Sequence, residues 1–236
     1  MGVKRIHIPS IGDVTLYKRH NSRSLRLSIG TNGEVRVSMP HWVPYKSGAV
    51  FAASKAAWIE SMRGQHHNLI ENGQAIGKAH HVRFYATTAT RVTSRLHEQE
   101  IHIGLPRGVQ AESAEAQRVA RAACIKALRQ EAEKLLPERL KTLALQGGYT
   151  FNSVSVKQLK SRWGSCSSTK DIALNIYLML LPWQLIDYVL WHELAHTRVM
   201  RHGPPFWREL EQHMPLARSL SKEIHTYQPT LHPRST

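Results

Sequence analysis

Apolar and polar side chains alternate with a period of two in two neighbouring segments of the chain, residues 25–29 and 35–39. This alternation is typical of strands with one buried face. Residues 30–33, which read Gly-Thr-Asn-Gly, have the composition of a turn. The pattern therefore predicts a hairpin near the N-terminus, with Arg26 and Arg36 side by side on its solvent face.

Helical periodicity follows in two longer segments. Pro44 opens one predicted helix, which runs to about Arg63. The second covers residue 114 to about residue 145, where apolar residues recur at helical spacing. Pro137 predicts a kink or a break inside this second helix, and Gly147-Gly148 predicts its end.

The last third of the chain alternates strand and helix patterns. Residues 154–163 and 172–180 are predicted strands joined by a polar turn. Pro182 suits the first turn of a helix that ends near Arg201. Gly203-Pro204-Pro205 then breaks the chain and starts a further helix.

These elements together predict an α+β fold. Two shorter strands are expected at residues 81–86 and 100–103, and Pro106-Arg107-Gly108 ends the N-terminal part. We therefore expect a β-rich N-terminal unit with one helix, residues 1–108, followed by a C-terminal domain, residues 109–236. No internal repeat is apparent in the sequence.

The charge of the chain changes the picture of its partners. Lys and Arg number 32 and Asp and Glu number 17, which gives a net charge of +15 and a pI near 10.2. Such a surface attracts polyanions through phosphate contacts, so nucleic acid or a nucleotide is a candidate partner. A positive surface that is merely solvated has the same composition, and charge alone does not separate DNA from a nucleoside triphosphate.

Other features of composition bear on the compartment. Cys124 and Cys166 are the two cysteines of the chain, too few for a disulfide scaffold and consistent with a reducing environment. The N-terminus lacks the apolar core of a signal peptide. The most apolar stretch, residues 176–191, is too short and too polar to span a bilayer. We expect a cytoplasmic protein with no membrane partner.

The most specific chemistry lies in His192-Glu193-Leu194-Ala195-His196. Residues four apart on a helix share a face, so the two imidazoles can bind one zinc ion, Zn2+. Glu193 between them can take a proton from a metal-bound water, as in zinc hydrolases. This pentad also occurs by chance on amphipathic helices, so the reading depends on a third ligand.

A hydrolytic zinc site needs three protein ligands and one open position. The third ligand has five candidates in the sequence: His202, Glu209, His213, Glu223 and His225. His202 is favoured, because a sharp turn after the helix would bring it back towards the metal, and Glu223 is the alternative.

A second motif, Arg162-Trp163-Gly164-Ser165-Cys166, precedes the pentad. Trp163 is expected in the core and Cys166 as a reduced, half-buried residue rather than a ligand. Arg162 either orients substrate or pairs with an acid of the domain.

The chain resembles the YgjP-like metallopeptidases, which are related to the SprT-type and WLM zinc proteases. The resemblance covers nearly the whole chain and is strongest in residues 162–166, 174–175 and 186–188, the pentad, His202 and Phe206-Trp207. It implies a zincin-like domain, with zinc on His192, His196 and His202 and Glu193 as catalytic base. Arg162 and Asn175, which lie in these motifs, become the predicted substrate contacts.

Three functions remain open at this point. The favoured one is a zinc-dependent metallopeptidase that acts on a protein or peptide held along the strand edge 172–180. Its expected substrates include nucleic-acid-associated proteins, since SprT and WLM relatives are implicated in proteolysis of DNA-bound proteins. Some YgjP-like members are described as UTP pyrophosphatases, which makes nucleoside-triphosphate hydrolysis the second. The third is a nucleic-acid-binding protein with a structural zinc site.

Overall fold

The computed structural model describes residues 2–20, 22–29, 34–59 and 69–231. The chain divides into two compact units, one up to residue 68 and one of residues 69–231. This division falls ahead of the predicted boundary at 108/109. The physical reason is that strands before residue 108 share a hydrophobic core with the helices that follow it.

The first unit is a four-stranded sheet with a helix on one face. Its strands are β1 (Val3–Ile8), β2 (Gly12–Arg19), β3 (Arg26–Ile29) and β4 (Val35–Pro40), in the order β1-β2-β4-β3. The pairs β1–β2 and β3–β4 are antiparallel and β2–β4 is parallel. The predicted hairpin of β3 and β4 is confirmed, whereas its turn at 30–33 lies outside the described residues.

Helix α1 (Tyr45–Ala53) begins directly after Pro44, as predicted. The single helix predicted to run to about Arg63 was wrong, because α1 ends at Ala53, where Ser54 caps it and its Oγ donates to Phe51 O at 2.9 Å. Helical backbone resumes over residues 56–59, and the predicted end near Arg63 lies outside the described residues. Gly48 brings the helix close to the sheet, because a Cβ added there would lie 3.1 Å from Met39 Sδ and 3.5 Å from Leu16 Cδ2. The buried apolar face of the sheet is therefore the face that α1 covers.

The second unit opens with a sheet of the same plan. Its strands are β5 (Ala75–Ile76), β6 (His80–Ala86), β7 (Thr93–His97) and β8 (Glu100–Leu105), in the order β5-β6-β8-β7. Again the outer pairs are antiparallel and the central pair is parallel. A helix, α2 (Ala114–Gly147), follows β8 as α1 follows β4.

The two sheets with their helices form an internal repeat, contrary to the expectation from sequence. Residues 35–40 read Val-Arg-Val-Ser-Met-Pro, and residues 101–106 read Ile-His-Ile-Gly-Leu-Pro. After each proline the chain turns in the same way: Val43 N donates to Pro40 O at 3.2 Å, and Val109 N donates to Pro106 O at 3.0 Å. The repeat is hidden in sequence because only the inward residues share their character.

Helix α2 links the sheets of the second unit. The Ser113 side chain caps its N-terminus by accepting from Ala116 N, and Gly148 closes it with a φ of 64°. The predicted stop at Gly147-Gly148 is thus confirmed. The predicted break at Pro137 is not, because α2 continues through this residue as one helix. The helix is held in the core there, because Leu136 and Leu140 next to the proline are fully buried.

A third sheet and three helices complete the second unit. Strands β9 (Ser153–Lys157), β10 (Gly164–Cys166) and β11 (Asp171–Asn175) have the order β10-β11-β9, with β9 and β11 parallel. A 3-10 helix, Ile176–Leu180, follows β11. The remaining helices are α3 (Trp183–His196), α4 (Pro204–His213) and α5 (Ala217–Ile224).

Three predicted boundaries in this region were wrong. The strand predicted at 154–163 ends at Lys157, and the one predicted at 172–180 ends at Asn175. The Asn175 side chain accepts from Tyr177 N at 3.3 Å and so turns the chain into the 3-10 helix. Helix α3 ends at His196 instead of near Arg201.

The α+β class with a β-rich N-terminal unit is confirmed. None of the described helices combines the length and the apolar character that crossing a bilayer requires.

Candidate metal centre

Helix α3 presents its two histidines from the centre of the second unit. Pro182 stands at its N-cap with extended backbone. Leu185, Ile186 and Leu190 are fully buried and fix the helix in the core. His192 and His196, one turn apart, then lie on one face, with their ring centroids 4.8 Å apart. Packing of the apolar residues therefore decides which way the imidazoles point.

The structure brings the three predicted ligands together. The Nε2 atom of His196 lies 3.1 Å from Nε2 of His192 and 3.1 Å from Nε2 of His202, and the remaining pair is 3.0 Å apart. Tetrahedral zinc with bonds of about 2.0–2.1 Å places its ligand nitrogens roughly 3.3 Å apart. The donor set and its spacing therefore fit one divalent ion.

The imidazoles of His192 and His196 are in the neutral form that binds a metal cation. The His196 Nδ1–H donates to Val199 O at 3.1 Å, which leaves Nε2 with its lone pair. Burial, helped by the neighbouring His196 and His202, lowers the pKa of His192 to about 3. Burial also lowers the pKa of His196. These two imidazoles are neutral at physiological pH and can act as ligands without losing a proton.

Phe206 forms an apolar floor under the cluster. Its ring centroid lies 4.8 Å from His192, 4.6 Å from His196 and 4.8 Å from His202, and its side chain is fully buried. Pro204 and Pro205 start α4 immediately after His202, which sets Phe206 one turn into that helix. The same short segment thus supplies the third ligand and the floor.

The other candidates for a third ligand have different partners. Glu209 accepts from Tyr149 Oη and from Arg198 Nη1, both at 2.7 Å. His213 stacks on Trp191 with the ring centroids 4.5 Å apart. Glu223 and His225 are exposed. Over the described ranges, the cluster of His, Cys, Asp or Glu donors close enough to share an ion consists of the three histidines alone.

The carboxyl group of Glu193 is buried beside the histidine cluster. Its side chain is 5% exposed, and Oε2 has no hydrogen-bond partner within the described structure. Burial raises the pKa of Glu193 to about 8, while the positive charge of Arg162 acts in the opposite direction. A buried carboxyl group without a partner for one oxygen has a destabilising environment, which is a common mark of a reactive group.

Gly164 on β10 makes room for this carboxyl group. A Cβ added at Gly164 would lie 2.6 Å from Glu193 Oε1 and 2.8 Å from Glu193 Cγ. Any larger residue there would displace the glutamate, so the glycine in the second motif serves Glu193. Sequence reasoning missed this role, because it depends on a contact between distant segments.

Strand β10 is the free edge of its sheet beside Glu193. Asn175 N donates to Trp163 O at 2.9 Å, and Ser167 N donates to Asp171 O at 2.9 Å. In an antiparallel ladder these pairs alternate, so the main-chain groups of Gly164 and Cys166 point away from β11. The predicted peptide-binding edge at 172–180 was wrong, because β11 lies between β10 and β9.

The two predicted substrate contacts have different surroundings. Arg162 is exposed, and its charge reaches Glu193. Asn175 is fully buried, and its Nδ2 donates to Leu159 O at 2.9 Å and to Arg162 O at 2.7 Å. Asn175 therefore holds the loop before β10, and the structure contradicts its predicted contact with substrate.

Cys166 is half-buried on β10, as the sequence suggested. Burial, together with the charges of Glu193 and Asp171, raises the pKa of its thiol to about 11. The thiol is protonated at physiological pH and is a poor metal ligand. It does not belong to the cluster of donors around His192.

Comparison with known proteins assigns this arrangement. The family model of the YgjP-like metallopeptidase domain matches residues 23–227. Among solved structures, a metallopeptidase zymogen of Pyrococcus abyssi, abylysin, is 28% identical, with a TM-score of 0.36 and coverage of 39% of this chain and 93% of that one. Jannalysin, a metallopeptidase zymogen of Methanocaldococcus jannaschii, is 22% identical, with a TM-score of 0.34 and coverage of 39% and 94%. No curated protein matched the sequence. The family match, and not the two partial structural overlaps, carries the assignment.

Proposed function

The chain belongs to the YgjP-like metallopeptidase family and is a metal-dependent hydrolase, and on that premise we propose that it cleaves peptide bonds with zinc as its metal. His192, His196 and His202 would hold the ion through their Nε2 atoms. Three neutral imidazoles are a typical zinc donor set. A structural zinc site would need a fourth protein donor, and the donor cluster of the described residues has three.

In this proposal Glu193 moves the protons. When bound, the metal acidifies a coordinated water and polarises the substrate carbonyl. Glu193, ionised beside the cation, would take a proton from the attacking water through its unpartnered oxygen as the water oxygen bonds to the carbonyl carbon. It would then deliver that proton to the amine that leaves as the C–N bond breaks. The Gly164 backbone keeps the carboxyl group in place, and the Phe206 floor keeps water from the far side of the imidazoles.

The single observation that favours a peptide is the free edge of β10. The main-chain groups of Gly164 and Cys166 point outwards, next to the buried Glu193. An extended peptide can add to such an edge as a further strand, which places a scissile bond beside the catalytic residues. A nucleotide makes no use of a strand edge. Arg162 at the start of this segment is a candidate for orienting the bound chain.

The basic composition supports a more specific substrate. A net charge of +15 draws the protein to nucleic acid, where it would meet proteins bound there. We therefore include nucleic-acid-associated proteins among the proposed substrates.

The test compares wild type with Glu193→Gln and with Glu211→Gln, a matched change at a partly exposed glutamate that pairs with Arg218. Each purified protein is analysed for metal and assayed on casein, on a DNA-bound protein and on UTP. Glu193→Gln should keep its zinc and lose about 10²–10⁴-fold in kcat on the protein substrates. Glu211→Gln should match wild type.

Each other result has a distinct meaning. Full activity of zinc-loaded Glu193→Gln would show that Glu193 is not the base. Wild type without metal would remove the assignment of the histidine cluster. Hydrolysis of UTP and of neither protein substrate would replace the peptidase proposal with nucleotide hydrolysis.

A further inference from the structure

The sheet of the first unit has one face that α1 leaves uncovered. Val14 and Leu16 on β2 point towards α1, so their neighbours along the strand point to the opposite face. The register places four arginines on that face, one on each strand: Arg5, Arg19, Arg26 and Arg36. We call this surface the arginine face. Arg26 lies opposite Ser38 and Arg36 opposite Ser28, so the two arginines predicted to lie side by side share this face as diagonal neighbours.

We propose that the arginine face binds the sugar-phosphate backbone of single-stranded nucleic acid. All four arginines are exposed. Within the described ranges Arg36 pairs with Glu34, and no ion pair engages Arg5, Arg19 or Arg26. The sequence up to residue 59 contains nine Lys or Arg and only two acids, Asp13 and Glu34. Asp13 is held by His7 at 2.8 Å. Three of the four arginines on this face therefore carry a charge that no ion pair of the described residues compensates, which suits a polyanion.

The second sheet shows that this charge is not a by-product of the fold. The corresponding face of β5–β8 carries Arg83 and Arg95, but Glu100 lies among them. Glu100 lies 3.5 Å from Arg83 Nη2 and 2.8 Å from His102 Nε2. The same strand plan thus carries two arginines around one glutamate in one copy and four arginines, one of them paired with Glu34, in the other.

Aromatic rings lie where β2 and β4 end together. His20 stacks on His41 with centroids 4.7 Å apart, and Trp42 is 69% exposed. Base stacking on exposed rings beside a basic surface is how proteins hold single strands. These rings follow Arg19 and Pro40, which are paired in the register, so they adjoin the arginine face.

A single strand fits these features better than a duplex. Stacking on Trp42 needs unpaired bases. Reading a duplex through its major groove needs a protruding helix or a two-stranded ribbon, and α1 lies on the other face of this sheet. The proposal goes beyond the hydrolase function, and its test measures binding without catalysis.

The test uses the full chain and fluorescence anisotropy with a labelled oligothymidylate and a duplex of equal length. Arg5→Gln/Arg26→Gln is compared with Arg83→Gln/Arg95→Gln, which removes the same charge from the second sheet. We expect the first pair to weaken oligothymidylate binding about tenfold. The slope of the logarithm of the binding constant against the logarithm of the salt concentration should become shallower by about 1.4, roughly 0.7 for each lost phosphate contact. The second pair should bind within about twofold of wild type. Trp42→Ala should weaken single-strand binding and leave duplex binding unchanged.

Several outcomes would overturn the proposal. One is equal weakening by both double variants, which would mean that net charge alone acts. Another is wild type binding the duplex as tightly as the single strand. A third is binding to vesicles that contain phosphatidylserine but not to oligothymidylate, which would assign the face to lipid. Thermal unfolding of each variant verifies that it is folded, and hydrolytic activity does not enter the result.

Discussion

Two glutamates of the larger unit have almost the same setting and opposite chemistry. Glu131 on α2 and Glu193 on α3 are 6% and 5% exposed. Each packs its carboxyl group against a glycine, Gly77 and Gly164, at a distance that leaves no room for a Cβ. Glu131, however, accepts from Lys78 N at 2.7 Å, from Ala79 N at 2.9 Å and from His80 Nδ1 at 2.6 Å. Glu193 has an oxygen with no partner.

The difference separates a structural carboxylate from a reactive one. Three donors stabilise the charge of Glu131 and fix the turn between β5 and β6. Lys78 in this turn also donates to Leu181 O, just before α3, so Glu131 indirectly supports the helix that carries the histidines. Glu193 has no such compensation, and its raised pKa follows from burial. Residue type and burial are shared, so hydrogen-bond satisfaction decides the role.

The largest effect is expected from removing the structural carboxylate. Glu131→Ala would leave three buried donors without an acceptor, and we expect the free energy of unfolding of residues 69–231 to fall by about 3–5 kcal/mol. Urea denaturation monitored by tryptophan fluorescence measures this loss. Glu133→Ala is the control on the same helix, since Glu133 is exposed and its ion pair with Arg129 is 3.9 Å long. Equal losses of unfolding free energy in the two variants would contradict the stabilising role of the three hydrogen bonds to Glu131.

Displacing the reactive carboxylate should affect activity instead. In Gly164→Ala the new Cβ meets Glu193, and a shift of the base by about 1 Å costs roughly 100-fold in kcat, or about 2.7 kcal/mol. Metal content should stay at the wild-type value, because the three atoms nearest the new Cβ all belong to Glu193 and none to a histidine. Gly203→Ala is the matched control, since a Cβ there meets nothing closer than 3.7 Å. Wild-type kcat in Gly164→Ala would mean that the steric argument fails.

The equivalent change beside Glu131 sharpens the contrast. Gly77 has a φ of 69°, where alanine is strained, and its Cβ would also meet the Glu131 carboxylate. We expect Gly77→Ala to lower the free energy of unfolding by about 1–3 kcal/mol. Per folded molecule, kcat should change less than in Gly164→Ala. The two glycine variants thus separate stability from turnover, and the same loss of kcat in both would remove the distinction.

The smallest effect concerns Asp171, a partly exposed carboxylate with three hydrogen-bond donors. Asp171 accepts from Ser153 Oγ at 2.6 Å, Thr169 Oγ1 at 2.6 Å and Asn152 Nδ2 at 2.7 Å. These hydrogen bonds lower its pKa from 3.8 to about 2. Its stabilising contribution is therefore complete above pH 3.8 and is lost as the pH falls through 2. Asp171→Asn should flatten the decline of unfolding temperature over this range, measured by calorimetry against wild type, and an unchanged profile would contradict the shift.

Local sequence was sufficient where the chemistry is local. His192, Glu193 and His196 depend only on the spacing of one helix, and the hairpin of β3 and β4 depends only on alternation. His202 needed one further assumption, a sharp turn after α3. For these residues the structure provides the geometry that the pattern predicted.

The rest depends on contacts between distant segments. Nothing in the sequence near Gly164 indicates that Glu193 will lie against it. The prediction that Asn175 contacts substrate was wrong because a polar residue in a specific motif suggests a surface position. Its amide is instead buried, where it donates to a main-chain carbonyl of the loop before β10. The strand repeat escaped detection because inward apolar residues vary freely among Val, Ile, Leu and Met at little cost.

The segment that supplies His202 and Phe206 has a consequence for the lifetime of the folded protein. Only residues 197–201 separate His202 from the helix that carries the other two imidazoles, so closing this loop costs little entropy. A bound ion would therefore fasten α4 to α3 as soon as both form, and it would have to leave before α4 could detach. The unfolding rate of the C-terminal helices, and with it their resistance to degradation, would then be set by how fast the ion dissociates.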